Sequence, residues 1–103
     1  MARREVLQGR LTQGADEKIP YQLTTTPWGS SPSSVVVKCY DITTGARTDV
    51  TATNLSGSAS VNGDVITCPL LQSLTADKTY RLEIQFVTSG ITWECFVIIA
   101  AEN

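Results

Sequence analysis

Apolar and polar positions alternate most sharply between residues 79 and 99. Tyr80, Leu82, Ile84 and Phe86 alternate with Arg81, Glu83 and Gln85, and Trp93, Cys95, Val97 and Ile99 repeat the same spacing. A period of two sends successive side chains to opposite faces of a strand. Ser89-Gly90 reads as the turn between them, which pairs Phe86 with Trp93, Ile84 with Cys95, Leu82 with Val97 and Tyr80 with Ile99. That face is apolar throughout and predicts a core. The other face pairs Arg81 with Ile98, Glu83 with Phe96, Gln85 with Glu94 and Val87 with Thr92. Phe96 and Ile98 are large apolar groups where a solvated sheet is polar, so they predict a second burial, against the N-terminal segment or another chain.

Shorter strands precede this hairpin. Lys18 to Thr26 places Ile19, Tyr21 and Leu23 on one face, with Pro20 restricting the strand to an edge or Pro20 to its start. Trp28 follows among Pro27, Gly29, Ser30, Ser31 and Pro32, either as an aromatic at the rim of the core or as a binding anchor. Ser34 to Ile42 is apolar on both sides of the pleat, as in a central strand, and Asp49 to Leu55 reads as a short Thr-rich strand. Asn62-Gly63 suits a type I′ turn between Ser58–Val61 and Asp64–Cys68, with Ala59 and Val61 sharing a face with Ile66 and Cys68. Glu5 to Thr12 is a first short strand or an arm, interrupted at Gly9. Nowhere does an apolar pattern of helical period last three turns. The chain therefore reads as one all-β domain over residues 1–103, with 1–15 as an N-terminal arm or edge strand, and about seven antiparallel strands in a sandwich rather than an up-and-down barrel.

The chemistry that is missing narrows the function. Without a histidine the chain lacks the usual general base, which excludes Ser-His-Asp and Cys-His sites. Glu83 and Glu94, diagonal neighbours on the outer face, are the best carboxylate pair and read as surface charges rather than a glycosidase pair. Asp41, Asp49, Asp64 and Asp77 stand at strand ends, where turn chemistry accounts for them without calcium. Cys39, Cys68 and Cys95 are odd in number and widely spaced, so buried free thiols are expected in place of disulfides or zinc. No leader-like hydrophobic segment or membrane-length apolar run is present, which points to folding in a reducing cytoplasm and makes the Asn54-Leu55-Ser56 sequon a chance match. A net charge of -2 gives no electrostatic case for nucleic acid or anionic membranes; Arg3, Arg4 and Arg10 are the local exception. The expectation is a chain with no catalytic, metal or cofactor site, and not an enzyme.

Leu74, followed six residues later by Tyr80, resembles the tyrosine corner of immunoglobulin-like and fibronectin type III domains, where the phenol hydroxyl bonds backbone upstream. From Asp16 to Asn103 the order of features also resembles the small immunoglobulin-like proteins encoded among the virion structural genes of tailed bacteriophages. The residues that carry this are Asp16-Glu17 before Ile19-Pro20-Tyr21, Trp28-Gly29, Leu55-Ser56-Gly57, the Asn62-Gly63 hairpin, Leu74 with Tyr80, and the last strand from Trp93 to Ile99. The resemblance implies an immunoglobulin-like or fibronectin type III-like β-sandwich acting as a non-enzymatic structural component. It would be present in many copies on the capsid, neck or tail, in contact with other virion proteins and copies of itself, after synthesis in the host cytoplasm. The repeats and the long collagen-like or coiled-coil segments of a full tail fibre are lacking. The competing reading is a binding module whose loops at Trp28–Pro32 and Thr43–Arg47 recognise a glycan or protein on a cell surface. Candidate interaction residues are Phe96, Ile98, Trp28, Arg3 and Arg4.

Overall fold

A computed structural model describes the backbone of residues 3–5 and the whole of residues 11–102. It is mostly strand: β1 (Arg3–Glu5), β2 (Leu11–Gly14), β3 (Gln22–Thr24), β4 (Ser33–Asp41), β5 (Thr48–Asp49), β6 (Leu55–Ser56), β7 (Ser60–Asn62), β8 (Val65–Thr67), β9 (Leu70–Leu71), β10 (Thr79–Thr88) and β11 (Ile91–Glu102), with one helical turn, α1 (Thr51–Asn54). The larger sheet runs β1-β11-β10-β4-β5, with β2 also on β11; the smaller runs β3-β8-β7, and β6 pairs β9. Leu23 and Ile66 of the small sheet join Cys39, Leu82, Ile84, Phe86, Cys95, Val97 and Ile99 of the large one in a single buried cluster. The architecture is therefore all-β and sandwich-like, with the core between the large sheet and the smaller ones, Leu71 of β9 included.

The β10–β11 hairpin has the register that its alternation predicts on both faces, from Tyr80 opposite Ile99 to Val87 opposite Thr92. Ser89 and Gly90 both have positive φ, 50° and 76°, as a type I′ turn requires. The other hairpin differs from expectation. Asn62 pairs with Val65, so the turn residues are Gly63-Asp64 rather than Asn62-Gly63. Gly63 takes the positive φ of 60° at the first turn position, the place where a II′ turn wants glycine. Moving the turn by one residue shifts the pairing by two, so facing is preserved and Val61 comes opposite Ile66 where the expected turn put Asp64; Val61 is nonetheless exposed, and only Ile66 of the pair is in the core.

Three further expectations are corrected. The strands are not all antiparallel: β1 and β2 run parallel to β11, with Arg4 beside Cys95 and Leu11 beside Ile99. Parallel pairing needs a long crossover, and here the rest of the domain lies between the two partners. Asp49 to Leu55 is not one strand: Asp49 ends β5, Leu55 begins β6, and α1 lies between them. Asp49 Oδ1 accepts from the Thr51 N–H at 2.9 Å, turning the chain into α1, and the buried Asn54 amide donates to the carbonyls of Gln72 and Ser73 at 2.9 and 3.0 Å. That use of Asn54 leaves no exposed acceptor for a glycan. Finally, β10 is the only described strand that flanks β4 along its length, since β5 pairs just with Tyr40 and Asp41.

Local bonds hold the two ends. Gln13, fully buried on β2, donates its amide to the carbonyls of Leu71 and Glu17 at 2.8 and 2.9 Å and accepts from the Tyr21 hydroxyl at 2.9 Å. Both amide hydrogens and the carbonyl oxygen thereby have partners on neighbouring segments, as a buried amide requires. At the opposite end the Thr25 carbonyl accepts from the N–H groups of Trp28 and Gly29, both at 2.8 Å, and the Asp64 carboxylate accepts from the Thr26 hydroxyl and the Ser31 N–H, both at 3.1 Å. The Gly63-Asp64 turn thus shapes the loop that carries Trp28.

Candidate interaction surface

The outer face of the large sheet follows from the same alternation that makes the core. It carries Arg81, Glu83, Gln85 and Val87 of β10, Glu94 and Phe96 of β11, and Val36, Lys38 and Tyr40 of β4. At its centre Glu83 Oε2 accepts from Arg47 Nη1 at 2.8 Å and from Arg81 Nε at 2.7 Å, with 9% of its side chain exposed. A carboxylate this withdrawn from water needs cationic partners. Each guanidinium also covers a ring: Arg47 lies 5.0 Å from the Tyr40 centroid and Arg81 lies 3.8 Å from that of Phe96. Planar guanidinium groups can bond a carboxylate at their edge and stack on an aromatic with their face. The result is a continuous row, Tyr40, Arg47, Glu83, Arg81, Phe96. Beside it lies an open groove of about 200 Å³ lined by Val36, Lys38, Tyr40, Glu83, Gln85 and Glu94.

The structure separates the residues singled out from the sequence. Phe96 is half-buried beneath Arg81. Ile98, by contrast, is only 6% exposed, so of the two burials expected for it the one within its own chain holds, and it is corrected as a candidate interaction residue; it lies between the stretches of β11 flanked by β1 and by β2. Trp28 packs on the core with its ring edge-on to Phe86, centroids 6.1 Å apart, so it occupies the rim of the core. Arg3 and Arg4 belong to β1, and their side chains lie outside the described residues; Arg10 also lies outside them. Arg47 was not legible as a member of this surface, because only the return of the chain beside β4 brings it over Tyr40 and onto Glu83.

Two of the carboxylates at strand ends are held by local partners. Asp41 accepts from the Thr43 hydroxyl and N–H and from Lys78, which hold its carboxyl below the usual range. The Thr51 N–H and hydroxyl do the same for Asp49. Cys39, Cys68 and Cys95 are buried and not joined in disulfides. Burial pushes the Cys68 thiol up to about 12, and burial together with the nearby Asp41 and Asp49 carboxylates does so for Cys39. Neutral thiols of this kind are poor nucleophiles and behave as small hydrophobes. Among the described residues, no group of three or more His, Cys, Asp or Glu is placed to hold a metal ion, and no helix is long and apolar enough to cross a membrane.

No protein-family model matches the chain, and neither the curated proteins nor the solved structures give a significant match to it.

Proposed function

We propose that this chain is a non-enzymatic structural component of a tailed-phage virion, decorating the capsid or seated at the neck or tail, and acting through protein–protein contacts. In this reading the fold is an immunoglobulin-like sandwich. Support for the fold comes from the strand order β2-β11-β10-β4-β5 facing β3-β8-β7 and from the Tyr80 hydroxyl bonded to backbone five residues upstream. The observation that carries the functional reading is the row Tyr40, Arg47, Glu83, Arg81, Phe96 on a sheet of long strands. Tyr, Arg and Phe are the residue types enriched in the centres of protein interfaces, and here stacking and ion pairing immobilise them before any partner arrives. Glu83, the carboxylate best placed for acid–base work, is engaged by two guanidiniums, which favours contact over catalysis.

Quantitative mass spectrometry of purified particles tests this reading. Copies comparable to the major capsid protein support a decorating role, and a ring's worth supports the neck or tail. Absence from particles, with the chain present in the lysate, overturns the virion reading and transfers the case to a cell-surface binding module.

A further inference from the structure

We infer that the free edge of β4 is a homodimer interface, in which two copies pair antiparallel about Val36 to make one continuous sheet. β5, Val50 and the first residue of α1 cover the end of β4: the Cys39 N–H donates to Thr51 Oγ1 at 3.0 Å and the Cys39 carbonyl accepts from the Val50 N–H at 2.9 Å. Both polar groups of Cys39 therefore point away from β10. By the period of two, those of Val37 point the same way, toward an edge along which no described strand lies from Ser33 to Lys38. Unpaired edges of this kind are templates for another strand.

Three features choose a second copy as the occupant. The stretch before Cys39 begins at a kink, where Ser34 has φ of 52° and the register with β10 shifts, so the usable edge is Ser34 to Lys38 and its midpoint is Val36. Antiparallel pairing about that midpoint matches Ser34 with Lys38, Val35 with Val37 and Val36 with itself, using the whole edge without touching the part held by β5. Val36 is 44% exposed, one of the few large apolar side chains so placed among the described residues, and it would meet its own copy on the outer face. The charges are compatible as well. Each Lys38 faces a serine, and the two ammonium groups sit four positions apart along the strands, about 14 Å at 3.4 Å per residue, beyond a screening length of about 8 Å. A short edge bounded at both ends closes as a two-fold dimer and does not propagate into a fibre.

This inference is independent of the virion reading and is tested on the isolated chain. Sedimentation of the full-length protein from micromolar to millimolar concentration is expected to show a monomer–dimer equilibrium. Val36→Lys places like charges directly opposite and is expected to weaken dimerisation at least about tenfold, with melting of the monomer unchanged. Ile91→Lys, at a position even more exposed (53%) but beside the β10–β11 turn, is expected to leave dimerisation as it was. Amide exchange at Val37 gives a readout without substitution, and is expected to slow as concentration rises. A chain that stays monomeric throughout overturns the proposal and assigns the edge to a strand from a different protein; so does a dimer that both substitutions weaken alike, or one in which the Val37 amide exchanges at a constant rate.

Discussion

The Tyr80 hydroxyl accepts a hydrogen bond from the Thr75 backbone N–H at 2.9 Å, tying the start of β10 to the connection that precedes it. Tyr80 is 3% exposed, and Leu74 beside that connection is buried as well. Tyr80→Phe retains the ring and deletes the acceptor, leaving the Thr75 N–H without its partner. The expected loss is about 1–3 kcal/mol in urea unfolding with an unchanged denaturant slope. A loss within error of zero would show that the bond does not anchor the crossover.

Gly29 is a close-approach glycine. Its φ is 156° and a Cβ built on it would lie 2.6 Å from Thr88 Oγ1, the atom that also accepts from Trp93 Nε1 at 3.1 Å. Gly45 also has positive φ, 89°, but open space around it. Gly45→Ala is therefore expected to cost about 1 kcal/mol from backbone conformation alone, and Gly29→Ala about 1–3 kcal/mol more from the clash with a buried threonine. Equal losses in thermal or urea unfolding would contradict the packing described for Thr88.

Glu83→Gln removes the charge that two guanidiniums share. Because the carboxylate and Arg81 are largely withdrawn from water, a loss of about 2–4 kcal/mol is expected, little changed by added salt. Lys78–Asp41 is the contrasting pair: Lys78 is half exposed, and Lys78→Ala is expected to cost less than about 1 kcal/mol and to be salt-sensitive. Unfolding curves at low and high salt for both variants check the difference.

The buried thiols set the alkaline limit. Cys39 and Cys68 are raised to about 12 in the folded chain, above an unfolded thiol near 8.5, so the folded state favours their neutral form. Their contribution is complete below the unfolded value and is lost as pH rises toward the folded one. Melting temperature should fall over that alkaline window, less so in Cys39→Ala with Cys68→Ala, and the wild-type thiols should resist alkylation until the chain unfolds. Asp41 and Asp49 act at the other limit. Their folded values are depressed, so stability present above an unfolded value near 3.9 is lost as pH falls through the folded ones. Rapid alkylation of the native protein, or a flat alkaline profile, would contradict this account.

Turn position and strand identity were legible to different degrees. The β10–β11 register could be read because uninterrupted alternation and a two-residue turn leave one pairing that keeps Leu82, Ile84 and Phe86 inside. At residues 62–65, however, Asn-Gly and Gly-Asp turns both preserve facing, and the Asp64 contacts with Thr26 and Ser31 belong to the observed one. Thr51 to Asn54 has strand-like composition, yet it forms a helical turn because Asp49 and Asn54 bond backbone groups near and far. For the candidate surface, the facing of Glu83 and Phe96 was visible in the alternation, while the Arg47 contact was not.

The sequence by itself determined the all-β class, the facing of the last hairpin, the core positions of Leu74 and Tyr80, and the burial of the cysteines. Each rests on local periodicity or on side-chain chemistry, which a short window contains. Only the tertiary structure decided that β1 and β2 run parallel to β11, that Gln13 bonds Leu71, that Ile98 is buried, and that Arg47 and Arg81 share Glu83. Most of these join segments far apart in the chain, and the Glu83 pairing combines its neighbour Arg81 with the distant Arg47. They depend on which edges the two sheets leave open and which buried polar groups then require partners, and no local pattern carries that information.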